Sequence, residues 1–143
     1  MKSSLSIAVL LTVAALATPA LASPPACDGS EFKAFRTEFT DAANANDKTR
    51  LAKLIVFPVE YWATITKGNA QSSGVKTEAE FLQRYDTLVT AFMKKNLKTA
   101  KVLSLPEGRC ALTWHDSSSE FSVEFQYVPD TGFRMSGYDV GAY

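Results

Sequence analysis

One histidine, two cysteines and a formal net charge of zero give this 143-residue chain few tools for chemistry. With His115 alone and no cysteine cluster, there is no His/Cys ligand set of the zinc type, and no metal or other cofactor is expected. No G-x-S-x-G elbow, P-loop or G-x-G-x-x-G occurs, so no nucleophile elbow or phosphate-cradling loop is indicated. A near-neutral chain has no overall field drawing it to nucleic acid or anionic membrane. Its longest apolar run, residues 5–16, falls short of the ~20 needed to span a bilayer.

What the chain does have begins with an export signature. Lys2 supplies a positive start, residues 5–16 the apolar core, and Ala20-Leu21-Ala22 an A-x-A cleavage site before Ser23. Residues 1–22 are therefore expected to be a signal peptide, with residues 23–143 one domain in the periplasm or outside the cell. Lipidation at Cys27 is the alternative, but Pro24-Pro25 does not resemble a lipobox. Loss of Lys2 leaves 14 basic and 15 acidic residues, a net charge of about −1. Cys27 and Cys110 are the one pair available in an exported chain, so a disulfide is expected. Closing so long a loop stabilises by about 4–5 kcal/mol in the chain-entropy account.

The mature chain is organised around residues 51–62. Leu51, Leu54 and Ile55 have helical spacing, and Pro58 then ends the helix and pushes Phe57 into an extended conformation. Beyond it the period is two: Phe57, Val59, Tyr61, Ala63 and Ile65 on an aromatic inner side, Pro58, Glu60, Trp62, Thr64 and Thr66 on the other. Before this stretch, Phe32, Phe35, Phe39, Ala42 and Ala43 form one helical stripe, with Asp28 or Ser30 as its cap and Asp47 capping the short helix that follows. Residues 67–76, rich in Gly, Ser and Asn, read as an exposed loop. Thr77-Glu78-Ala79-Glu80 is a capping box opening a helix that runs to Lys98. Strands are expected over 99–105, 110–115, 121–127 and 133–140. The order ααβαββββ implies an α+β fold, with helices packed on one face of a curved, mostly antiparallel sheet.

The Phe-rich first helix, the passage from Asp47 through Leu51-Ala52-Lys53-Leu54 to Phe57-Pro58, and Glu80-Phe81-Leu82-Gln83-Arg84-Tyr85-Asp86 together resemble the NTF2-like (cystatin-like α+β cone) superfamily, in particular small secreted bacterial members. The resemblance implies a cone that can hold a pocket between sheet and helices. It names no activity, because such folds host isomerases, dehydratases and binding modules alike.

Two functions are compatible with these residues. The first is a non-catalytic periplasmic binding protein recognising an envelope protein or component, an inhibitor or immunity protein being its sharpest form. Trp62, on the side away from the aromatic face, is its candidate anchor, with Tyr61 and Trp114 as further binding candidates. The second is a small-molecule binder or an isomerase- or dehydratase-like enzyme using the cone pocket. Phe39, Phe57, Tyr61, Phe81, Tyr85, Leu88, Trp114 and Phe125 would line that pocket or simply fill the core. His115 and Asp139 are its catalytic candidates: imidazole titrates near neutrality, and Asp139 shares the parity of inward Phe133 and Met135. Asp116 adjoins His115, but neighbours on a strand point to opposite faces and do not orient one another. Lys94, Lys95, Lys98, Lys101 and Arg109 offer an anion patch, although the first three equally complement a helix end. A protein partner in the envelope is expected, with no nucleic acid and no membrane span. Pairing of two copies through the sheet is left open.

Overall fold

The computed structural model describes residues 23–66 and 69–142. The expected export segment, residues 1–22, lies outside the described residues, and no helix among them is long and apolar enough to cross a membrane. Helix α1, Ser30–Asn44, buries the expected stripe of Phe32, Phe35, Phe39, Ala42 and Ala43. Neither Asp28 nor Ser30 caps it. A turn closed by the Gly29 N–H on the Ala26 carbonyl places Gly29 at the cap instead. Asp47 does cap α2, Lys48–Ala52, accepting from the Arg50 N–H at 3.0 Å. That helix ends short of Ile55, because residues 54–56 are taken by the sheet: the Val56 N–H donates to the Met135 carbonyl and the Met135 N–H to the Leu54 carbonyl.

After a cis Phe57–Pro58 peptide come strands β1, Val59–Thr66, and β2, Asn69–Val75; helices α3, Glu78–Leu88, and α4, Ala91–Thr99; and strand β3, Lys101–Ser104. A 3-10 turn at Pro106–Gly108 leads to β4, Cys110–His115, then β5, Ser119–Val128, and β6, Gly132–Ala142. The six strands lie in the order β2-β1-β6-β5-β4-β3, with β1 and β6 the parallel neighbours and the other pairs antiparallel. The helices cover one face. This is the α+β class expected, with two changes of detail.

First, residues 69–75 form an edge strand rather than a loop. Their Gly/Ser composition signals a loop because Asn69 and residues 71–74 stay exposed; the strand is held by backbone pairing to β1 and by α3. Arg84 donates to the Gly74 carbonyl at 3.1 Å and to the Ser73 hydroxyl, while pairing with Glu80 at 2.6 Å. Second, the helix opened by the Thr77–Glu80 box stops at Leu88. Thr90 starts α4 afresh, its hydroxyl accepting from the Met93 N–H at 3.2 Å. The capping box itself is modified: Thr77 accepts from the Glu80 N–H, but Glu80 reaches back to the Lys76 N–H at 2.8 Å, one residue further out.

Two one-residue bulges decide which side chains face the helices. In β1, Val59 pairs with Val75 but Trp62 with Ser73, so β1 holds one residue more than β2 across that interval. In β6, Met135 pairs with Phe125 but Gly137 with Glu124, leaving Ser136 as the extra residue. A bulge reverses the alternation beyond it. Val59 and Trp62 therefore both point inwards, and Glu60 and Tyr61 are both exposed. Likewise Met135 and Tyr138 are inside and Asp139 is out. Gly74 lies opposite the β1 bulge, where a Cβ would sit only 3.3 Å from the Glu60 carbonyl oxygen. Trp62 and Tyr138 are register partners across β1 and β6, their rings 5.8 Å apart.

The core joins two aromatic groups. Phe32, Phe35 and Phe39 of α1 meet Phe125 edge-on at 5.6, 5.4 and 5.3 Å. Trp62, Phe81, Tyr138 and Phe121 form the other. The Cys27–Cys110 disulfide ties the lead into α1 to the start of β4. Beside it Gly108 has a φ of +70°, and a Cβ there would meet Pro24 at 2.6 Å, so the lead lies directly on this turn.

Trp62→Ala should lower the unfolding free energy by about 3–5 kcal/mol, whereas Tyr61→Ala should change it by no more than about 0.5 kcal/mol. Denaturant unfolding of the two variants checks this, and equal losses would place the bulge wrongly. A second expectation concerns acid. The Lys76 N–H, followed by Arg84, holds the Glu80 carboxyl below its usual value. Its contribution is complete above the unfolded glutamate pKa, about 4.3, and is lost as pH falls through the lower folded value. Glu80→Gln should cost stability at neutral pH and flatten the acid limb; an equally steep limb in the variant would contradict the assignment.

Candidate functional site

The space between sheet and helices, where a cone pocket was expected, is filled by packing. Phe39, Phe81, Phe125, Tyr85 and Leu88 are buried, Phe57 packs on Phe81, and Trp114 stands edge-on to Phe92 of α4 at 5.9 Å. Trp62 is 0 % exposed and its indole N–H donates to the Leu88 carbonyl at 3.1 Å. It is a core residue, not the surface anchor its parity suggested.

A concavity opens instead on the helix-free face. It is a cleft of about 570 Å³, bordered by Val56, Phe57 and Pro58 on one side and by β1, β5 and β6 on the others. The bulges supply much of its lining: Glu60 and Tyr61 from β1, Ser136 and Gly137 from β6, with Asp139 just beyond. Glu124 and Gln126 reach it from the wet face of β5, and Arg109 from the approach to β4. Arg109 pairs with Glu124 at 2.8 Å, the two side chains being 39 % and 41 % exposed, a geometry worth about 0–1 kcal/mol. The Ser136 hydroxyl donates to the Glu124 carbonyl at 3.3 Å. Glu60 and Asp139 have no hydrogen-bond or ion-pair partner among the described residues. Tyr61 is 45 % exposed and presents its ring to this cleft.

Asp139 also borders a smaller cavity of about 180 Å³, shared with Thr113, Trp114, His115, Glu120 and Ser122. His115 is exposed at the end of β4, opposite Glu120. Asp116 gives it no orientation. One carboxylate oxygen of Asp116 accepts from the Ser118 N–H, the Ser118 hydroxyl and the Ser119 N–H. Those bonds, Ser118's first, keep its carboxyl below the usual range, with a smaller pull from His115. The pair is a hairpin cap with a neighbouring imidazole, not an acid–base dyad. Tyr138 lies behind the cleft; burial, and then the Asp139 charge, pushes its phenol up, so it stays protonated at neutral pH. Among the described residues no three His, Cys, Asp or Glu side chains gather to hold a metal ion.

The sequence-predicted residues thus separate. Tyr61 and Asp139 meet at one cleft; His115 and Trp114 lie at the adjoining cavity; Trp62 belongs to the core. Sequence reasoning put Glu60 on the side of β1 opposite the aromatic one but did not assemble it with Glu124, Arg109, Gln126, Ser136 and Gly137. The available signal was Gly137, since a glycine within a strand marks a bulge or a close approach.

No family model matches the chain, and no curated protein matches it. Among solved structures it is similar to an NTF-2 like protein of unknown function from Shewanella oneidensis MR-1. Identity is 10 %, coverage is 77 % of this chain and 95 % of that one, and the TM-score is 0.44.

Proposed function

We propose that this chain is an exported, non-catalytic binding protein that recognises another protein of the cell envelope through the cleft on its open sheet face. The observation that carries the reading is the exposed Tyr61 beside a roomy, preformed cleft, on a protein whose space between sheet and helices is filled by side chains. Tyrosine supplies large contact area at low entropic cost and is frequent among the residues that dominate binding energy. The disulfide suits an oxidising compartment, the periplasm or the exterior. An inhibitor or immunity protein acting on an envelope enzyme is the most specific form of this function. The enzyme alternative needs a cavity of several hundred Å³ where Trp62, Phe81, Phe121 and Tyr138 now pack, and its candidates His115 and Asp139 are solvent-exposed.

Mature, oxidised protein should retain one stoichiometric partner from envelope extract. Tyr61→Ala should weaken that partner's binding at least about tenfold, as expected for loss of a central aromatic anchor. Gly137→Leu should do the same by filling the cleft, because a Cβ at Gly137 meets nothing nearer than the Glu124 Cβ at 3.9 Å. Lys98→Ala, on the opposite side of the molecule, should have no effect. Retention that is indifferent to both cleft variants would refute the assignment.

A further inference from the structure

Two concavities of this nearly neutral chain carry charge of opposite sign. A groove of about 430 Å³ between α1 and α4 is lined by Lys33, Arg36 and Lys98, with Asp41 the one acid beside them. The sheet-face cleft has the opposite sign. Among the described residues three carboxylates, Glu60, Glu124 and Asp139, line it against the single cation Arg109, and that cation is already engaged by Glu124. Two carboxylates are therefore left to meet a ligand's charge. The remaining lining is equally selective: the exposed Tyr61 ring, an apolar wall from Val56, Phe57 and Pro58, and the side-chain oxygens of Gln126 and Ser136 as neutral acceptors.

We infer that the cleft takes an arginine side chain from the partner protein. This rests on reading the sheet face as the binding surface, and adds the chemistry of what enters it. Charge complementarity selects a cation. The Tyr61 face favours a flat one, because a guanidinium stacks on an aromatic ring while pairing with carboxylates at its edge. Several acceptors around one cavity match a group with five N–H donors better than a compact ammonium. The apolar wall covers the three-carbon stem, which buries while its head remains solvated. An acidic, anionic or purely apolar partner segment would leave Glu60 and Asp139 opposed or uncompensated.

The test uses a defined probe. Isotope-labelled mature, oxidised protein is titrated with N-acetyl-arginine methylamide and, separately, with the citrulline analogue, an uncharged near-isostere. The arginine probe should shift the amides of Tyr61, Gly137 and Asp139 and bind at least about fivefold more tightly than citrulline, the scale of one or two exposed charge contacts with a cation–π contribution. The lysine analogue should bind more weakly than arginine. Salt should weaken arginine binding, and Glu60→Gln with Asp139→Asn should reduce it to the citrulline level. Equal binding of arginine and citrulline, or shifts confined to other surfaces, overturns the inference. The envelope partner separates this failure from failure of the underlying reading. A partner lost with Tyr61→Ala but retained by the Glu60→Gln/Asp139→Asn protein sinks the arginine inference and keeps the binding surface. A partner retained by both sinks the surface as well. Concentration-dependent self-association abolished by the double variant would make the occupant a second copy and overturn the assignment to another protein.

Discussion

The Trp62 indole N–H donating to the Leu88 carbonyl is the contact at which sheet and helices are locked together. Leu88 closes α3, and the carbonyls of a last helical turn have no partner within the helix. Had α3 run straight into α4, that carbonyl would have accepted from Phe92. Because Thr90 caps a new helix, the carbonyl is free for the indole. The donor can reach it only because β1 carries one residue too many, which turns Trp62 inwards. A buried indole without this acceptor would cost about 1–3 kcal/mol, so the helix break and the strand bulge stabilise each other.

The second bulge works with the first. β1 and β6 are parallel neighbours, and each gains its extra residue within the two positions before its large aromatic, Trp62 and Tyr138. On the helix side two rings meet at the centre of the core. On the other side the same geometry turns out Glu60, Tyr61, Ser136, Gly137 and Asp139, and these build the cleft. Core and cleft are thus two consequences of the same pair of bulges. The site stands on paired strands rather than on loops, which holds it in shape before any ligand arrives. The cleft offers an aromatic ring, two carboxylates with no ion-pair partner among the described residues, and neutral acceptors.

Much of the fold was legible where local physics and tertiary structure agree. The Phe32–Phe35–Phe39 stripe, the Asp47 cap, the Thr77 box, the alternation of Phe121, Val123 and Phe125, and the Cys27–Cys110 bridge all follow from spacing or elimination. Strict alternation failed at the two places where a strand holds an extra residue. Parity counted through Glu60-Tyr61 puts Trp62 outside, and counted through Ser136-Gly137 puts Asp139 inside; both are reversed in the fold. Thr90 sits mid-run between Leu88, Val89 and Phe92, so its capping role is hidden by a continuous helical pattern. Residues 69–75 lack β-branched and aromatic side chains except Val75, and only pairing with β1 and the reach of Arg84 make them a strand.

The measurement that bears most directly on this account is hydrogen exchange at the two indole N–H groups, resolved by NMR in the oxidised protein. If the paired bulges orient the strands as described, the Trp62 indole, buried and bonded to Leu88, should exchange only with global unfolding. The half-buried Trp114 indole, with no hydrogen-bond acceptor among the described residues, should exchange orders of magnitude faster. Comparable fast exchange at both would mean that Trp62 faces solvent, and the sorting of core from cleft would fail with it.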